Sequence, residues 1–187
     1  NDGMFKRIWF TLQDDYPKEH LTVRFWDLAA TEASYSNDPD WTVGVKMTLC
    51  NGVFYVCDVK RFRESPHNVE QIIKQTAVED GRYCEIVMEE EGGSSGKGMI
   101  EHYQREVLVG YIFRGLRASG SKAQRAMPFA SACEAGNVKL IQGSWIMDYL
   151  DELTLFPLGV HDDQVDASSG AFNYLAEKGE GGFDVSF

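Results

Sequence analysis

The sequence has little positive charge: 18 lysines and arginines stand against 29 aspartates and glutamates, a formal net charge of −11 over 187 residues. Taken over the whole molecule, that argues against a free-standing nucleic-acid binder, which is usually basic. It is compatible with an acid-rich cation site, and equally with simple solubility. No apolar run approaches the roughly 20 residues a bilayer-crossing helix needs, and no signal peptide opens the chain, so no membrane association is expected. The four cysteines, Cys50, Cys57, Cys84 and Cys133, form no C-x-x-C pair and have no histidines clustered with them, which argues against a zinc site. Scattered among apolar residues, they point to reduced thiols and a cytosolic setting. A nucleotide-binding P-loop is missing as well. Gly96-Lys97 would need glycine at position 91 and Ser or Thr at position 98, where the chain has Glu91 and Gly98. ATP hydrolysis by this chain is therefore not expected. There is no internal repeat and no low-complexity linker. A single domain over 1–187 is expected, with 1–20 as an N-terminal extension and 179–187 as a flexible tail. The opening Asn1-Asp2-Gly3-Met4-Phe5 reads as a cut from a longer protein.

What is present suffices for one full-sized globular domain: 43% hydrophobic and 12% aromatic residues. Within the first segment, Phe5, Ile8, Trp9 and Phe10 are expected to dock on the domain. Residues 21–27 alternate like a strand and end in an acid, and 29–40 has loop composition. Two further strand patterns, 41–49 and 54–59, flank Asn51-Gly52, a strong hairpin signal. Ser65-Pro66 opens a helix that Gly81 ends. A strand over 85–89 follows, then a flexible loop over 92–98, a helix over 99–106 and a short apolar strand over 107–113. A helix over 121–135, a strand over 138–141, a helix over 145–155 and a final helix to about Lys178 complete the pattern. Three strands in an antiparallel meander followed by βα alternation predict an α/β fold: a mixed sheet with helices on its faces.

The chemistry concentrates in acids. His161, Asp162, Asp163 and Asp166 fall within six residues at the start of the final helix. Helical spacing of three and four draws the carboxylates together, where like charges repel. Asp27 ends the first strand and Glu89 the fourth. In an open α/β sheet, strand ends and helix starts converge on one edge. Three or four carboxylates meeting there resist full ionisation. Two divalent cations about 4 Å apart would resolve the repulsion and make a two-metal phosphodiester-cleaving site. Oxygen ligands favour Mg²⁺ or Mn²⁺. Each acid also has a plain structural role open to it: Asp27 as a loop start, Glu89-Glu90-Glu91 as a solvated run, Asp162 as a helix cap. Parity places Ile86 and Met88 on one face of their strand and Val87 and Glu89 on the other. Lys97, Arg105, Arg114, Arg117, Lys122 and Arg125 form the main basic concentration. Local patches of this kind bind DNA despite a negative total, because screening acts beyond about 8–10 Å.

Five motifs, in order, carry a resemblance. They are Arg24-Phe25-Trp26-Asp27-Leu28-Ala29; Val87-Met88-Glu89-Glu90 with the following Gly-Ser-Ser-Gly-Lys; Ser121-Lys122-Ala123-Gln124-Arg125-Ala126; Gly136-Asn137-Val138; and Phe156-Pro157-x-Gly-x-His161-Asp162-Asp163-x-x-Asp166-Ala167. Together they span roughly residues 4–177, and the chain resembles the C-terminal nuclease domain of the large terminase subunit of tailed bacteriophages, which has an RNase H-like fold. The resemblance implies a metal-dependent endonuclease that cuts concatemeric viral DNA during genome packaging in the host cytoplasm. It implies Asp27, Glu89 and Asp163 as metal-binding acids, with Asp162 an additional or alternative ligand. His161 and Asp166 take supporting positions behind them, and Lys97, Lys122 and Arg125 face DNA. Implied partners are double-stranded DNA, the terminase ATPase domain, the small terminase subunit and the portal. Two other readings compete: another RNase H-like nuclease of resolvase or transposase type, and a non-catalytic docking module of the packaging motor.

Overall fold

The computed structural model describes residues 3–18, 20–30 and 38–184, with side chains to 179. Parts of two expected segments, 31–37 of the loop and 185–187 of the tail, lie outside the described residues. In chain order the elements are β1 (Thr11–Gln13), β2 (Leu21–Asp27), β3 (Thr42–Cys50), β4 (Val53–Phe62), α1 (Pro66–Asp80), β5 (Glu85–Glu90), α2 (Ser94–His102), a π-helical turn (Tyr103–Val107), β6 (Phe113–Arg117), α3 (Lys122–Glu134), β7 (Val138–Ile141), α4 (Ile146–Leu155) and α5 (Asp163–Asp184). The sheet order is β1-β7-β4-β3-β2-β5-β6. β2, β3 and β4 form the expected antiparallel meander. Asn51 and Gly52 turn its hairpin, both with positive φ, the geometry that Asn-Gly favours. β5, β6 and β7 add in parallel.

The two sheet faces follow the period-two alternation of the strands. Val23, Phe25 and Val87 bury on the face covered by α3, α4 and α5. Trp26, Ile86 and Met88 bury on the other, under α1 and the π-helical turn. Arg24 shares that second face and is almost wholly buried. Its Nε and Nη2 donate to both oxygens of Asp80 at 2.8 and 2.9 Å, and its Nη1 donates to Asp58 at 2.9 Å. A buried guanidinium held in this way is strongly destabilising to break. The four cysteines are free thiols, three of them buried. Burial pushes the Cys57 thiol up to about 11, which leaves little nucleophilic thiolate there.

Several expectations need correction. Residues 1–20 do more than extend the domain: Thr11–Gln13 pairs with β7 as an edge strand, and Phe5 is core while Ile8 is exposed. The expected loop over 92–98 is mostly helix, because α2 starts at Ser94. The small residue Gly96 allows this, since any Cβ there would collide with the Glu91 carbonyl. The expected strand over 107–113 is absent. The Leu108 N–H closes the π-helical turn on the Tyr103 carbonyl and the Tyr111 N–H bonds the Leu108 carbonyl. Val107 and Leu108 fill the core from that turn, and the strand begins only at Phe113. The last helix continues past Lys178 to Asp184. No helix among the described residues is long and apolar enough to cross a membrane.

Candidate active site

Register brings the first two acids together. Trp26 of β2 lies beside Met88 of parallel β5, so the next residues, Asp27 and Glu89, are lateral neighbours on the face that α5 covers. The two carboxyl groups lie within hydrogen-bonding reach of each other. Asp27 is buried, whereas Glu89 is half-buried at the mouth.

α5 supplies the other acids by running antiparallel to β5. Near the start of β5, Glu85 accepts from Tyr174 at 3.0 Å and from Lys178 at 2.7 Å. The opposite end of the helix then arrives at Asp27 and Glu89. Close approach depends on Gly170, where a Cβ would run into the ring of Phe25. The first turn is anchored from α4. Glu152 accepts the Val165 N–H at 2.9 Å and the Gln164 side-chain amide at 3.1 Å, satisfying donors that a helix start leaves free.

The result is a cavity of about 450 Å³ lined by Asp27, Asp40, Glu89, Glu90, Asp163 and Asp166, with Arg117, Lys122 and Arg125 on its rim. Burial, followed by the charge of Glu89, raises the Asp27 carboxyl well above its usual range, with Asp166 and Asp163 adding to the effect. Burial likewise raises Asp163 and pushes Asp166 up to about 6 against the pull of Lys122. The ammonium of Lys122 lies 2.8 Å from Asp162 and 2.9 Å from Asp166. Arg117 lies 3.3 Å from Glu90.

The predicted residues therefore separate into groups. Asp27, Glu89, Asp163, Asp166, Lys122 and Arg125 share one cavity. Asp162 precedes the helix and gives its carboxylate to Lys122, outside the cavity lining. Lys97 sits exposed on α2, also outside that lining. His161 lies 2.8 Å from Asp38 and groups with Asp40 and Asp163. Two residues escaped sequence reasoning. Asp40 looked like loop composition, although its place directly before a strand was a usable signal. Glu152, in the middle of a helix, left no signal. Oxygen donors crowded together, with Asp27 and Glu89 in contact and disfavoured as a pair of anions, fit a hard divalent cation.

The sequence profile of the terminase RNaseH-like domain family matches residues 24–175. No curated protein matches in sequence. Among solved structures, the large terminase nuclease from thermophilic phage G20c with bound zinc aligns with a TM-score of 0.62 at 20% identity, covering 86% of this chain and 84% of that one. The nuclease domain of human cytomegalovirus terminase, manganese-soaked with an inhibitor bound, gives 0.59 at 14% identity and 82% of each chain. A whole large terminase from a thermophilic bacteriophage gives 0.64 at 13% identity, with 92% of this chain covering 43% of that one. At such identities the likeness establishes the fold, an RNase H-like mixed sheet.

Proposed function

This chain belongs to the terminase RNaseH-like domain family, and on that premise we propose that it is a DNA endonuclease that cuts concatemeric viral DNA during phage genome packaging, using two divalent cations. The observation that carries the reading is the contact between Asp27 and Glu89 at adjacent strand ends, with Asp163 and Asp166 lining the same cavity. These four acids are the residues that would hold Mg²⁺ or Mn²⁺. Such ions supply Lewis-acid stabilisation of a phosphodiester and acidify an attacking water.

The protein's own part is positioning. The strands fix Asp27 and Glu89 through their backbone ladder, so the oxygens are aimed before any ligand arrives. Lys122 draws Asp166 toward its ionised form and pins its orientation. Arg117 and Arg125 stand where they can orient the DNA backbone by its phosphates, contacts that carry no base information, so weak sequence preference is expected. The substrate is double-stranded DNA. The remaining partners in this reading are the ATPase domain, the small terminase subunit and the portal, in the host cytoplasm. The family match favours this reading over a junction resolvase or a transposase-type nuclease, and an intact acid cavity favours it over a silent docking module.

Plasmid nicking in Mg²⁺ and Mn²⁺ tests it. Asp27→Ala and Asp163→Ala are each expected to lower cleavage at least about 100-fold, the scale of removing one electrostatic stabiliser of a transition state. Undiminished cleavage by both variants would refute it.

A further inference from the structure

Beside the cavity lies a second donor set of different chemistry. One ligand atom each of Asp40, His161 and Asp163 falls within 4.8 Å of the others. Asp40 comes from the segment leading into β3, His161 from the approach to α5, and Asp163 from its first turn. The imidazole is already oriented: its Nε2 lies 2.8 Å from a carboxylate oxygen of Asp38. Its Nδ1 is buried and has no hydrogen-bond partner among the described residues. With Nε2–H donating to Asp38, Nδ1 carries the lone pair, and a carboxylate behind the far ring nitrogen is how metal-ligating histidines are commonly held. Asp163 uses Oδ2 to accept the Trp41 N–H at 3.0 Å, which leaves its other oxygen available and ties the same two segments together.

We propose that Asp40, His161 and Asp163 form a separate cation site, with one nitrogen and two oxygen donors, that takes Mn²⁺, Co²⁺ or Zn²⁺ in preference to Mg²⁺. Imidazole suits transition metals, whereas Mg²⁺ keeps to oxygen. A cation at about 2.0–2.2 Å from each donor requires the three atoms to close by roughly 1–2 Å. Asp40 is exposed, so its side chain has the freedom to do so. The site rests on the nuclease reading only through Asp163, which both use. Its occupation would clamp the segment at Asp38–Trp41 onto the start of α5, at the wall of the cleavage cavity.

The test is a Co²⁺ titration of EDTA-stripped protein, followed by visible absorption and calorimetry, on wild type and on His161→Gln, Asp40→Asn and Asp27→Asn. Far-ultraviolet circular dichroism checks that each variant is folded. His161→Gln and Asp40→Asn are each expected to weaken one Co²⁺ at least about tenfold, while Asp27→Asn retains it. Mg²⁺ is expected to compete for that ion at least about tenfold less well than Mn²⁺. Wild-type Co²⁺ binding in both His161→Gln and Asp40→Asn overturns the proposal, as does equal competition by Mg²⁺. Plasmid cleavage in Mg²⁺ by wild type reports on the nuclease reading separately, because Mg²⁺ is the ion this site does not favour.

Discussion

Asp27 is the residue whose chemistry is most constrained, because its burial and its contact with Glu89 both disfavour its charge. The sign of the resulting pH dependence follows from linkage. Asp166 has a carboxyl raised from 3.8 to about 6 in the folded protein, and Asp27 and Asp163 are raised as well. Between about 4 and 6 the folded state therefore binds more protons than the unfolded chain, and stability is lost as pH rises through that window. Thermal melts of EDTA-stripped protein should show the melting temperature falling from pH 4 to 7, with the decline shallower in Asp27→Asn. Added Mn²⁺ should raise it more at pH 7 than at pH 5, since the ion stabilises only the state that binds it. A wild-type profile that parallels Asp27→Asn would contradict this account. At the same scale the sequence was informative about Asp27, Glu89 and Asp163, because strand parity and helix starts are local properties. Asp40 was not legible as a site residue. It reaches the cavity through the pairing of Asp27 with Val43 across β2 and β3, a long-range fact that no local pattern encodes.

Among the elements, α5 makes the site. Its register against β2 is set by Gly170 on Phe25, two residues before Asp27, and its first turn is held by Glu152. Replacing Gly170 with Val should overpack that contact at a cost of about 1–3 kcal/mol, read by urea unfolding. Cleavage should fall further than the stability loss explains, because Asp163 and Asp166 move with the helix. Full cleavage in a destabilised Gly170→Val protein would show that the register of α5 does not matter. The meander, α1, α3 and α4 were legible because caps and apolar periods agree with the tertiary packing there. α2 was hidden because Gly and Ser have poor helix propensity. The turn forms there because their small size lets it close over the end of β5. The misplaced β6 has the opposite cause: apolar Val107 and Leu108 serve the core from a turn, while the actual strand, Phe113–Arg117, carries two arginines at the sheet edge.

At the scale of the whole molecule, the charge of −11 sets how DNA is met. Arg117 and Arg125 are the rim cations that are not shared between two carboxylates, as Lys122 is. Neutralising two phosphates predicts a slope of log K against log salt of about −2, measured by fluorescence anisotropy on duplex DNA in the presence of Ca²⁺. A slope near about −6 would mean that a larger basic surface is engaged. Weak binding by the isolated chain is consistent with a nuclease that receives its DNA from a larger machine. All of this depends on Asp27 and Glu89 holding a cation together at the ends of β2 and β5. The most direct measurement is the anomalous difference density of a Mn²⁺-soaked crystal. The account predicts a peak within coordination distance of carboxylate oxygens from both Asp27 and Glu89. A fully occupied Mn²⁺ that touches neither residue, in a protein that still cleaves DNA, would contradict it.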